Sequence, residues 1–285
     1  MKIKTIGIIG AGTMGAGIAQ ICAMRSHKTI VFDLDQKALD KAKEGIENNL
    51  NKGIARGKVT EEQKFDCLNN LCYTLNLKDI IADLIIEAVV ERLDVKQDIF
   101  NKLAACNSNE CILASNTSSI PISQIAAGIP NPERVVGMHF FNPAHIMKLV
   151  EVISGATTSP NVAKKIQELA ILLGKTPVMV KDSPGFIVNR VARHFYLESM
   201  KCLEEGVADH KTIDRLIKNA GFRMGPFSLM DLIGIDTNYS VTTSMYESFY
   251  YESRFRPSRI QKQKVDAGLL GKKSGKGFYD YSDNK

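Results

Sequence analysis

The sequence predicts an α/β protein with a doubly wound, mainly parallel sheet, followed by an all-helical domain. Up to Asp182, short β-rich apolar runs alternate with longer amphipathic stretches, a pattern typical of consecutive βαβ units. After Asp182-Ser183-Pro184-Gly185 the strand signals end and only helical patterns follow. Because a Pro-Gly pair interrupts regular structure, we predict one domain over residues 1–183 and a second over residues 184–285.

The individual elements follow from hydrophobic periodicity and length. Apolar runs of strand length lie at residues 2–9, 29–32, 84–87, 112–114, 135–139, 148–153 and 176–181. Amphipathic patterns predict helices over 36–50, 95–106, 160–173, 186–205 and 208–219, with an irregular helical set through residue 267. The glycine- and lysine-rich tail over 271–285 is expected to be a surface arm.

Composition excludes several classes of protein. With 44% hydrophobic and 24% charged residues, the chain is neither collagen-like, nor low-complexity, nor a disulfide scaffold. A net charge of +6 is too weak and too scattered to indicate nucleic-acid binding. The six cysteines form no CxxC pair and show no zinc-ligand spacing, so we expect no metal site and reduced thiols in a cytoplasmic protein.

The N-terminal region superficially resembles a signal peptide, because no charged residue occurs between Lys4 and Arg25. Five glycines interrupt this run at positions 7, 10, 12, 15 and 17. They fall where a signal peptide is most apolar, and they suit a strand, a tight loop and a helix start. We therefore predict no targeting segment and no membrane span.

A glycine motif, Gly10-Ala11-Gly12-Thr13-Met14-Gly15, follows the first strand and opens a helix. In that context G-x-G-x-x-G is typical of dinucleotide binding. Gly10 permits the tight turn, Gly12 lets the backbone approach a pyrophosphate, and Gly15 permits close helix packing, while the helix N-terminus stabilises the phosphate charge. We predict that this loop, including Thr13 and Met14, binds the cofactor.

Asp33 ends the second strand, close to the spacing of about 20 residues at which an acidic ribose ligand follows such a motif. A carboxylate there accepts hydrogen bonds from the ribose hydroxyls and repels a 2′-phosphate, so NAD is favoured over NADP. Asp35 competes for this role, although its position suits a helix N-cap better.

Polar residues also mark the ends of later strands. Ser118 and Asn142 follow two of them, and His139 and Glu151 lie in otherwise apolar runs. Taken alone, a histidine at position 139 is more often structural, and a glutamate at position 151 is more often an exposed residue on an edge strand. A buried Glu is costly without a cation or donor, and His139 is the nearest candidate. We therefore predict a Glu151–His139 pair at the ligand-binding edge of the sheet.

Six motifs in order give the chain a specific resemblance. They are Gly-Ala-Gly-Thr-Met-Gly at 10–15, Ala-Ser-Asn-Thr-Ser-Ser at 114–119, His-Phe-Phe-Asn-Pro at 139–143, Met-Lys-Leu-Val-Glu-Val at 147–152, Pro-Gly-Phe-Ile-Val-Asn-Arg at 184–190 and Gly-Lys-Lys-Ser-Gly-Lys-Gly-Phe-Tyr at 271–279. Over essentially its whole length, the sequence resembles the L-3-hydroxyacyl-CoA dehydrogenase family. It looks most like the short bacterial members that act on 3-hydroxybutyryl-CoA.

This resemblance implies a Rossmann-like NAD-binding domain, a helical C-terminal domain that dimerises, and an acyl-CoA substrate. It implies a catalytic set of Ser118, His139, Glu151 and Asn189. His139 would exchange the proton of the substrate 3-hydroxyl, Glu151 would orient the imidazole and stabilise its cation, and Ser118 would hydrogen-bond the reacting oxygen. Asn189 would polarise or position the substrate carbonyl region.

The resemblance also implies ligand contacts outside the catalytic set. Asn142 is expected near the substrate, and Glu91, Lys96 and Lys273 match positions that touch the cofactor or substrate, a solvated charge being the alternative for each. The chain departs from the commonest pattern around residues 48–58 and 247–256, which concern coenzyme A and the acyl pocket. Plausible phosphate contacts in the first segment are Lys52, Arg56 and Lys58, and the alternative is a solvated basic face.

Two other functions are compatible with parts of this pattern. A small hydroxy-acid dehydrogenase shares the fold, and the lens lambda-crystallins, which resemble the family and include gulonate dehydrogenase activity, show that substrate and role can shift. A non-catalytic dinucleotide-binding protein would make His139 and Glu151 structural. The complete four-residue set argues against that third reading.

Overall fold

The structure is a computed structural model that describes residues 3–282. The chain divides into two compact units, the first ending at Ser183 and the second beginning at Pro184. The predicted strand at residues 2–9 begins at Thr5, and its first predicted residue, Lys2, lies outside the described residues.

The first unit is built on one sheet, in which eight strands are found among the described residues. They are β1 (Thr5–Ile9), β2 (Lys28–Phe32), β3 (Leu71–Thr74), β4 (Leu84–Glu87), β5 (Ile112–Ser115), β6 (Val135–Phe140), β7 (Leu149–Ser154) and β8 (Thr176–Lys181). Their order across the sheet is β3-β2-β1-β4-β5-β6-β7-β8. Neighbours pair in parallel except β6 and β7, which are antiparallel. The mainly parallel sheet predicted from the sequence is therefore confirmed.

Helices connect these strands and supply the rest of the core. They are α1 (Thr13–Met24), α2 (Gln36–Ala55), α3 (Glu61–Asn69), α4 (Leu93–Cys106), α5 (Ile122–Ala126) and α6 (Pro160–Leu172). The largest apolar cluster includes Ile18 of α1, Ile46 of α2 and Ile166 of α6, packed with Ile8 and Val152 of the sheet. Burying these branched side chains on a sheet excludes water from both partners, which stabilises the layered arrangement.

Sequence periodicity missed α3, β3 and the short helix α5, and it predicted too short a range for α2. The helix α3 begins with a capping box between Thr60 and Gln63, but it has little apolar surface of its own. The strand β3 is short and lies at the edge of the sheet, so few apolar residues mark it. The helix α2 continues to Ala55, past its predicted end at residue 50, because a polar segment without apolar periodicity can still form the solvent-facing last turns of a helix.

The second unit contains helices and no strand within its described residues, as the sequence predicted. Its helices are α7 (Val188–Glu204), α8 (His210–Asn219), α9 (Pro226–Ile233), α10 (Ile235–Ser248) and α11 (Arg259–Asp266). Tyr196 and Met200 of α7, Phe227 and Met230 of α9, and Phe278 from the tail form its main core. Each side chain is almost fully excluded from solvent.

The prediction of a surface arm at residues 271–285 is wrong for the part that the structure describes. Asp231, fully buried, accepts hydrogen bonds from the backbone N–H groups of Phe278 and Tyr279 and from the Tyr281 hydroxyl. Phe278 is itself buried in the core. Glycine and lysine content suggested exposure, but the aromatic residues and a buried carboxylate fix this segment. Residues 283–285 lie outside the described residues.

Candidate active site

The ends of three neighbouring strands, β1, β4 and β5, lie side by side along one edge of the sheet. Strand register places Ile9 beside Glu87, Glu87 beside Ser115, and Ser115 beside Gly137. The segments that follow β1, β4 and β5 therefore start next to one another, and β6 continues past them to Phe140. In an open parallel sheet this carboxyl edge is where ligands bind.

The three motif glycines are required for different reasons. Gly10 has φ +99°, and a Cβ on it would lie 2.7 Å from the Ala88 carbonyl oxygen; a Cβ on Gly15 would lie 1.8 Å from the Gly10 carbonyl oxygen. Gly12 is exposed, and a Cβ there would meet no protein atom within 4 Å. The protein itself excludes side chains at Gly10 and Gly15, whereas at Gly12 it leaves space before the N-terminus of α1. That space suits a pyrophosphate on the helix axis.

Asp33 lies beside this glycine loop, just after β2. Its Oδ2 accepts a hydrogen bond of 2.7 Å from the Ala11 N–H, and its Oδ1 accepts one of 3.1 Å from the Asp35 N–H. Asp35 caps α2 by accepting from the Lys37 N–H, as its sequence position suggested. The two neighbouring carboxylates thus have separate roles, and Asp33 is the one adjacent to the motif.

His139 and Glu151 form a buried pair across the only antiparallel ladder among the described strands. They are direct register partners on β6 and β7, with Nδ1 of His139 2.8 Å from Oε2 of Glu151. His139 is 5% exposed and Glu151 is 1% exposed. Since β7 lies between β6 and β8, the reading of Glu151 as an exposed edge residue is wrong. A carboxylate at Nδ1 favours the tautomer whose basic nitrogen is Nε2.

Glu91 organises the loop that carries Ser118. One of its oxygens, Oε1, accepts hydrogen bonds from the Thr117 hydroxyl at 2.5 Å and from the backbone N–H groups of Ser118 at 2.9 Å and Ser119 at 3.0 Å. The Ser119 hydroxyl donates to the same oxygen at 3.1 Å. Although burial alone raises a carboxyl pKa, the Lys96 ammonium and these donors hold the pKa of Glu91 below its usual value.

Lys96 connects Glu91 to a second, fully buried carboxylate. Its Nζ lies 2.6 Å from Oε1 of Glu87 and 3.1 Å from Oε2 of Glu91. Lys96 is 1% exposed and Glu87 is 0% exposed, so the solvated-charge alternative for Lys96 is wrong. Glu87 also accepts hydrogen bonds from the Ser115 hydroxyl at 2.7 Å and the Val89 N–H at 2.8 Å. Sequence reasoning did not single out Glu87, although a Glu ending an apolar strand was a visible signal.

A basic groove of about 830 Å³ lies elsewhere on the first unit. Lys52, Arg56 and Lys58, the three residues predicted to contact phosphate, all line it. Further basic side chains that sequence reasoning missed also line it: Arg25, His145, Lys148 and Lys175. None of its lining residues is acidic, so the groove suits a polyanionic ligand.

Burial lowers the pKa values of two basic groups in this groove, Lys175 and His145. Lys175 donates hydrogen bonds to the carbonyl oxygens of Ala144 and Met147 at 2.6 and 2.8 Å, which fixes the turn that carries His145. Burial lowers the pKa of Lys175, and burial together with the Lys175 charge lowers the pKa of His145. His145 and Arg25 come from separate segments, so no sequence motif brought them together.

Asn142, Asn189 and Lys273 were also predicted to contact the ligands. Asn142 is exposed, just beyond the end of β6. Asn189 lies in the first turn of α7 and Lys273 in the tail, both in the second unit. Lys273 is 2.6 Å from Asp236 in an exposed ion pair.

Across residues 3–282, no group of three or more His, Cys, Asp or Glu side chains has a metal-binding arrangement, and no helix there has the length and apolarity to cross a membrane.

A glycine turn leading into a helix, with a buried His–Glu pair on a neighbouring part of the same sheet, is the arrangement of a dinucleotide-dependent dehydrogenase. Family comparison is more specific. The NAD-binding domain of 3-hydroxyacyl-CoA dehydrogenase matches residues 5–183, and the C-terminal domain of the same enzyme matches residues 185–281. The chain belongs to the 3-hydroxyacyl-CoA dehydrogenase family, a family of NAD-dependent oxidoreductases of acyl-CoA metabolism.

Individual relatives cover nearly the whole chain. It is 48% identical to a 3-hydroxyadipyl-CoA dehydrogenase of Escherichia coli strain K12, across 99% of this chain and 60% of that one. It is 42% identical to a probable 3-hydroxybutyryl-CoA dehydrogenase of Deinococcus radiodurans, across 96% and 99% of the two chains. A crystal structure of (S)-3-hydroxybutyryl-CoA dehydrogenase from Ralstonia eutropha superposes with a TM-score of 0.94 at 38% identity, covering 98% and 99% of the chains. The present chain therefore spans only 60% of the length of the Escherichia coli relative.

Proposed function

We propose that this chain interconverts (S)-3-hydroxyacyl-CoA and 3-oxoacyl-CoA with NAD, and that 3-hydroxybutyryl-CoA and acetoacetyl-CoA are its substrate pair. The observation that carries this proposal is the buried His139–Glu151 pair, fixed on the same sheet as the glycine loop. Secondary-alcohol oxidation needs a base for the hydroxyl proton and a partner that stabilises the resulting cation. This pair supplies both groups.

In the oxidation direction, Nε2 of His139 accepts the proton of the 3-hydroxyl as the hydrogen on the same carbon leaves as hydride and the C=O bond forms. When bound, NAD supplies the hydride acceptor. Glu151 holds the imidazole ring through Nδ1 and compensates the imidazolium charge in a buried position. Reduction uses the same groups in reverse, with imidazolium returning the proton.

Other residues bind and orient the reactants. Ser118 donates a hydrogen bond to the reacting oxygen, which stabilises its developing negative charge. Asn189 polarises the carbonyl region of the thioester, and Asn142 contacts the substrate. Gly10, Gly12, Thr13, Met14 and Gly15 hold the pyrophosphate of NAD, Asp33 its adenosine ribose, and Glu91, Lys96 and Lys273 complete the cofactor site.

The basic groove supports coenzyme A as the carrier of the acyl group. Coenzyme A carries a 3′-phosphate and a diphosphate, and the groove offers cations without a competing carboxylate. Lys52 and Arg56 lie near the C-terminal end of α2 and would contact these phosphates. Because such contacts are solvent-exposed, added salt should screen and weaken them. The Debye length at physiological ionic strength is about 8 Å.

One assay compares the candidate substrate classes. NADH oxidation is followed with acetoacetyl-CoA, 3-oxoadipyl-CoA and free short keto acids at equal concentrations. The highest kcat/KM for acetoacetyl-CoA supports the proposal. Preference for 3-oxoadipyl-CoA would favour the activity in the name of the Escherichia coli relative. Preference for a free keto acid would reassign the chain to a hydroxy-acid dehydrogenase, and no turnover with any of them would contradict a catalytic role.

Two further properties belong to this proposal. The cysteines are all free thiols, which supports a cytoplasmic location.

We also propose a homodimer through the second unit, where Val191, Leu216 and Phe222 expose apolar side chains on the single chain. Light scattering during size-exclusion chromatography should give a dimer mass for the unmodified protein, and a monomer mass at micromolar concentration would contradict the dimer.

A further inference from the structure

A relay of charges joins the Ser118 loop to the sheet edge; Glu87 and Lys96 are buried in it, and Glu91 is partly exposed. Ser118 and Ser119 direct their backbone N–H groups at Glu91. Glu91 contacts Lys96, and Lys96 contacts Glu87. Every link is a charge-assisted contact, which is shorter and stronger than a neutral hydrogen bond.

The two ends of this relay differ in how firmly they are held. Glu87 is the last residue of β4, and its side chain is bonded to the Ser115 hydroxyl at the end of β5. Glu91 lies in the irregular segment between β4 and α4. No backbone ladder fixes such a segment, so its side-chain contacts determine its position. Lys96 is the side-chain link between this rigid sheet edge and Glu91. The start of the Ser118 loop is also held directly, because the Asn116 N–H donates to the Glu87 carbonyl oxygen and the Thr117 N–H donates to the Ser115 hydroxyl.

We propose that Glu87 is a positioning residue for Ser118, acting through Lys96 and Glu91. Glu87 holds the Lys96 ammonium in place, Lys96 holds one oxygen of Glu91, and the other oxygen gathers the donors of residues 117–119. The consequence for turnover rests on the proposed function, because it requires that Ser118 contact the reacting oxygen. The consequence for loop order does not.

Backbone amide exchange tests the relay without any substrate. In Glu87→Gln, which keeps the shape of the side chain and removes its charge, the Ser118 and Ser119 amides should exchange about tenfold faster than in the unmodified protein. Asp182→Asn is the matched control, because Asp182 accepts hydrogen bonds from the Ile122 and Ser123 amides of the next segment. It should accelerate those amides and leave Ser118 and Ser119 unchanged. Unchanged exchange at Ser118 and Ser119 in Glu87→Gln would overturn the proposal.

A double-mutant cycle tests the consequence for turnover. Glu87→Gln should lower kcat about tenfold when Ser118 is present and less than about twofold in a Ser118→Ala background, since coupled residues are non-additive. NADH affinity should change less than about twofold. Equal losses in both backgrounds would mean that Glu87 acts independently of Ser118, and a loss confined to NADH affinity would mean that it acts through the cofactor site. Either result would contradict the positioning role in turnover.

If Glu87→Gln does not fold, Glu87→Asp keeps the charge but shortens its reach, and it should accelerate the same two amides by a smaller factor. If the unmodified protein turns over no acyl-CoA, the proposed function fails, and the exchange rates alone decide the positioning role of Glu87.

Discussion

The first unit places charge in two contrasting environments. At the sheet edge, Glu87, Lys96, His139 and Glu151 are almost completely buried, and each has a partner within hydrogen-bond distance. In the basic groove, cations such as Lys52 and Arg56 gather without a carboxylate among the lining residues. At the sheet edge a few charges are held in one geometry by partners within the protein. In the groove several positive charges lie together, and a bound anionic ligand would neutralise them.

This contrast sets the expected size of each mutational effect. Removing one member of a buried pair leaves its partner desolvated and costs about 3 to 5 kcal/mol. Removing one of several exposed cations costs about 0 to 1 kcal/mol and depends on salt. Substitutions at the sheet edge should therefore change the chemistry, while substitutions in the groove should change affinity by small, additive steps.

The largest effect is expected at the buried base. His139→Gln should lower kcat about 10²- to 10⁴-fold in acetoacetyl-CoA reduction, the usual range for general acid–base catalysis. NADH binding should remain near normal, because the glycine loop and Asp33 hold the nucleotide. His210→Gln, an aromatic-packed histidine of the second unit, is the control and should retain its kcat. Near-normal turnover of His139→Gln would remove the proposed base.

The next effect concerns the carboxylate of the pair. Glu151→Gln keeps the contact with the ring but removes the charge that stabilises imidazolium, so kcat should fall about 10²-fold, less than for loss of the base. Steady-state kinetics at fixed pH measure this ratio, with exposed Glu168→Gln on α6 as the control. Equal rates in Glu151→Gln and the control would show that a neutral hydrogen bond is sufficient.

Asp33 is partly buried, so its environment lies between the buried charges of the sheet edge and the exposed cations of the groove. Asp33→Ser should narrow the preference for NAD over NADP by about 1 to 3 kcal/mol, the range of a charge-assisted hydrogen bond. The ratio of kcat/KM for NADH and NADPH measures this preference. Asp35→Asn, the control, keeps a helix N-cap and should leave the preference for NAD over NADP unaltered. An unmodified protein that prefers NADPH would rule out the proposed role of Asp33.

The groove should show small effects that depend on ionic strength. Arg56→Ala is expected to raise the KM for acetoacetyl-CoA a few-fold at low salt, with a smaller ratio at high salt because exposed charges are screened. Lys164→Ala, exposed on α6, is the control. If KM is flat with salt and unaffected by Arg56→Ala, the coenzyme A phosphates bind elsewhere.

The smallest effect is a pH-dependent one at Glu91. Since the folded state holds the pKa of Glu91 below 4.5, its stabilising contribution is complete above pH 4.5 and is lost as pH falls through the folded pKa. The Glu91 side chain is 36% exposed, so solvent screening keeps the contribution modest. The difference in free energy of unfolding between the unmodified protein and Glu91→Gln should shrink from pH 6 to pH 3. A constant difference would contradict this linkage.

The sequence predicted the sheet edge better than the groove, and the reason is physical. Glu151 lies in an apolar strand, and the cost of burying an unpaired carboxylate there is enough to predict His139 as its partner. Arg25, His145 and Lys175 come from three distant segments, and only tertiary packing brings them together. The Asp231 contacts to the tail were missed for the same reason, because the residues that bind this carboxylate are distant from it in the sequence.

The antiparallel ladder between β6 and β7 also bears on how this protein can diversify. Backbone pairing sets His139 opposite Glu151, and a shift of one residue would turn one of the two side chains to the other face. The connecting segment, residues 141–148, lies outside that ladder, and it carries His145 and Lys148 into the groove. Ligand recognition can therefore evolve or be redesigned in this segment while the proton-transfer chemistry is inherited intact.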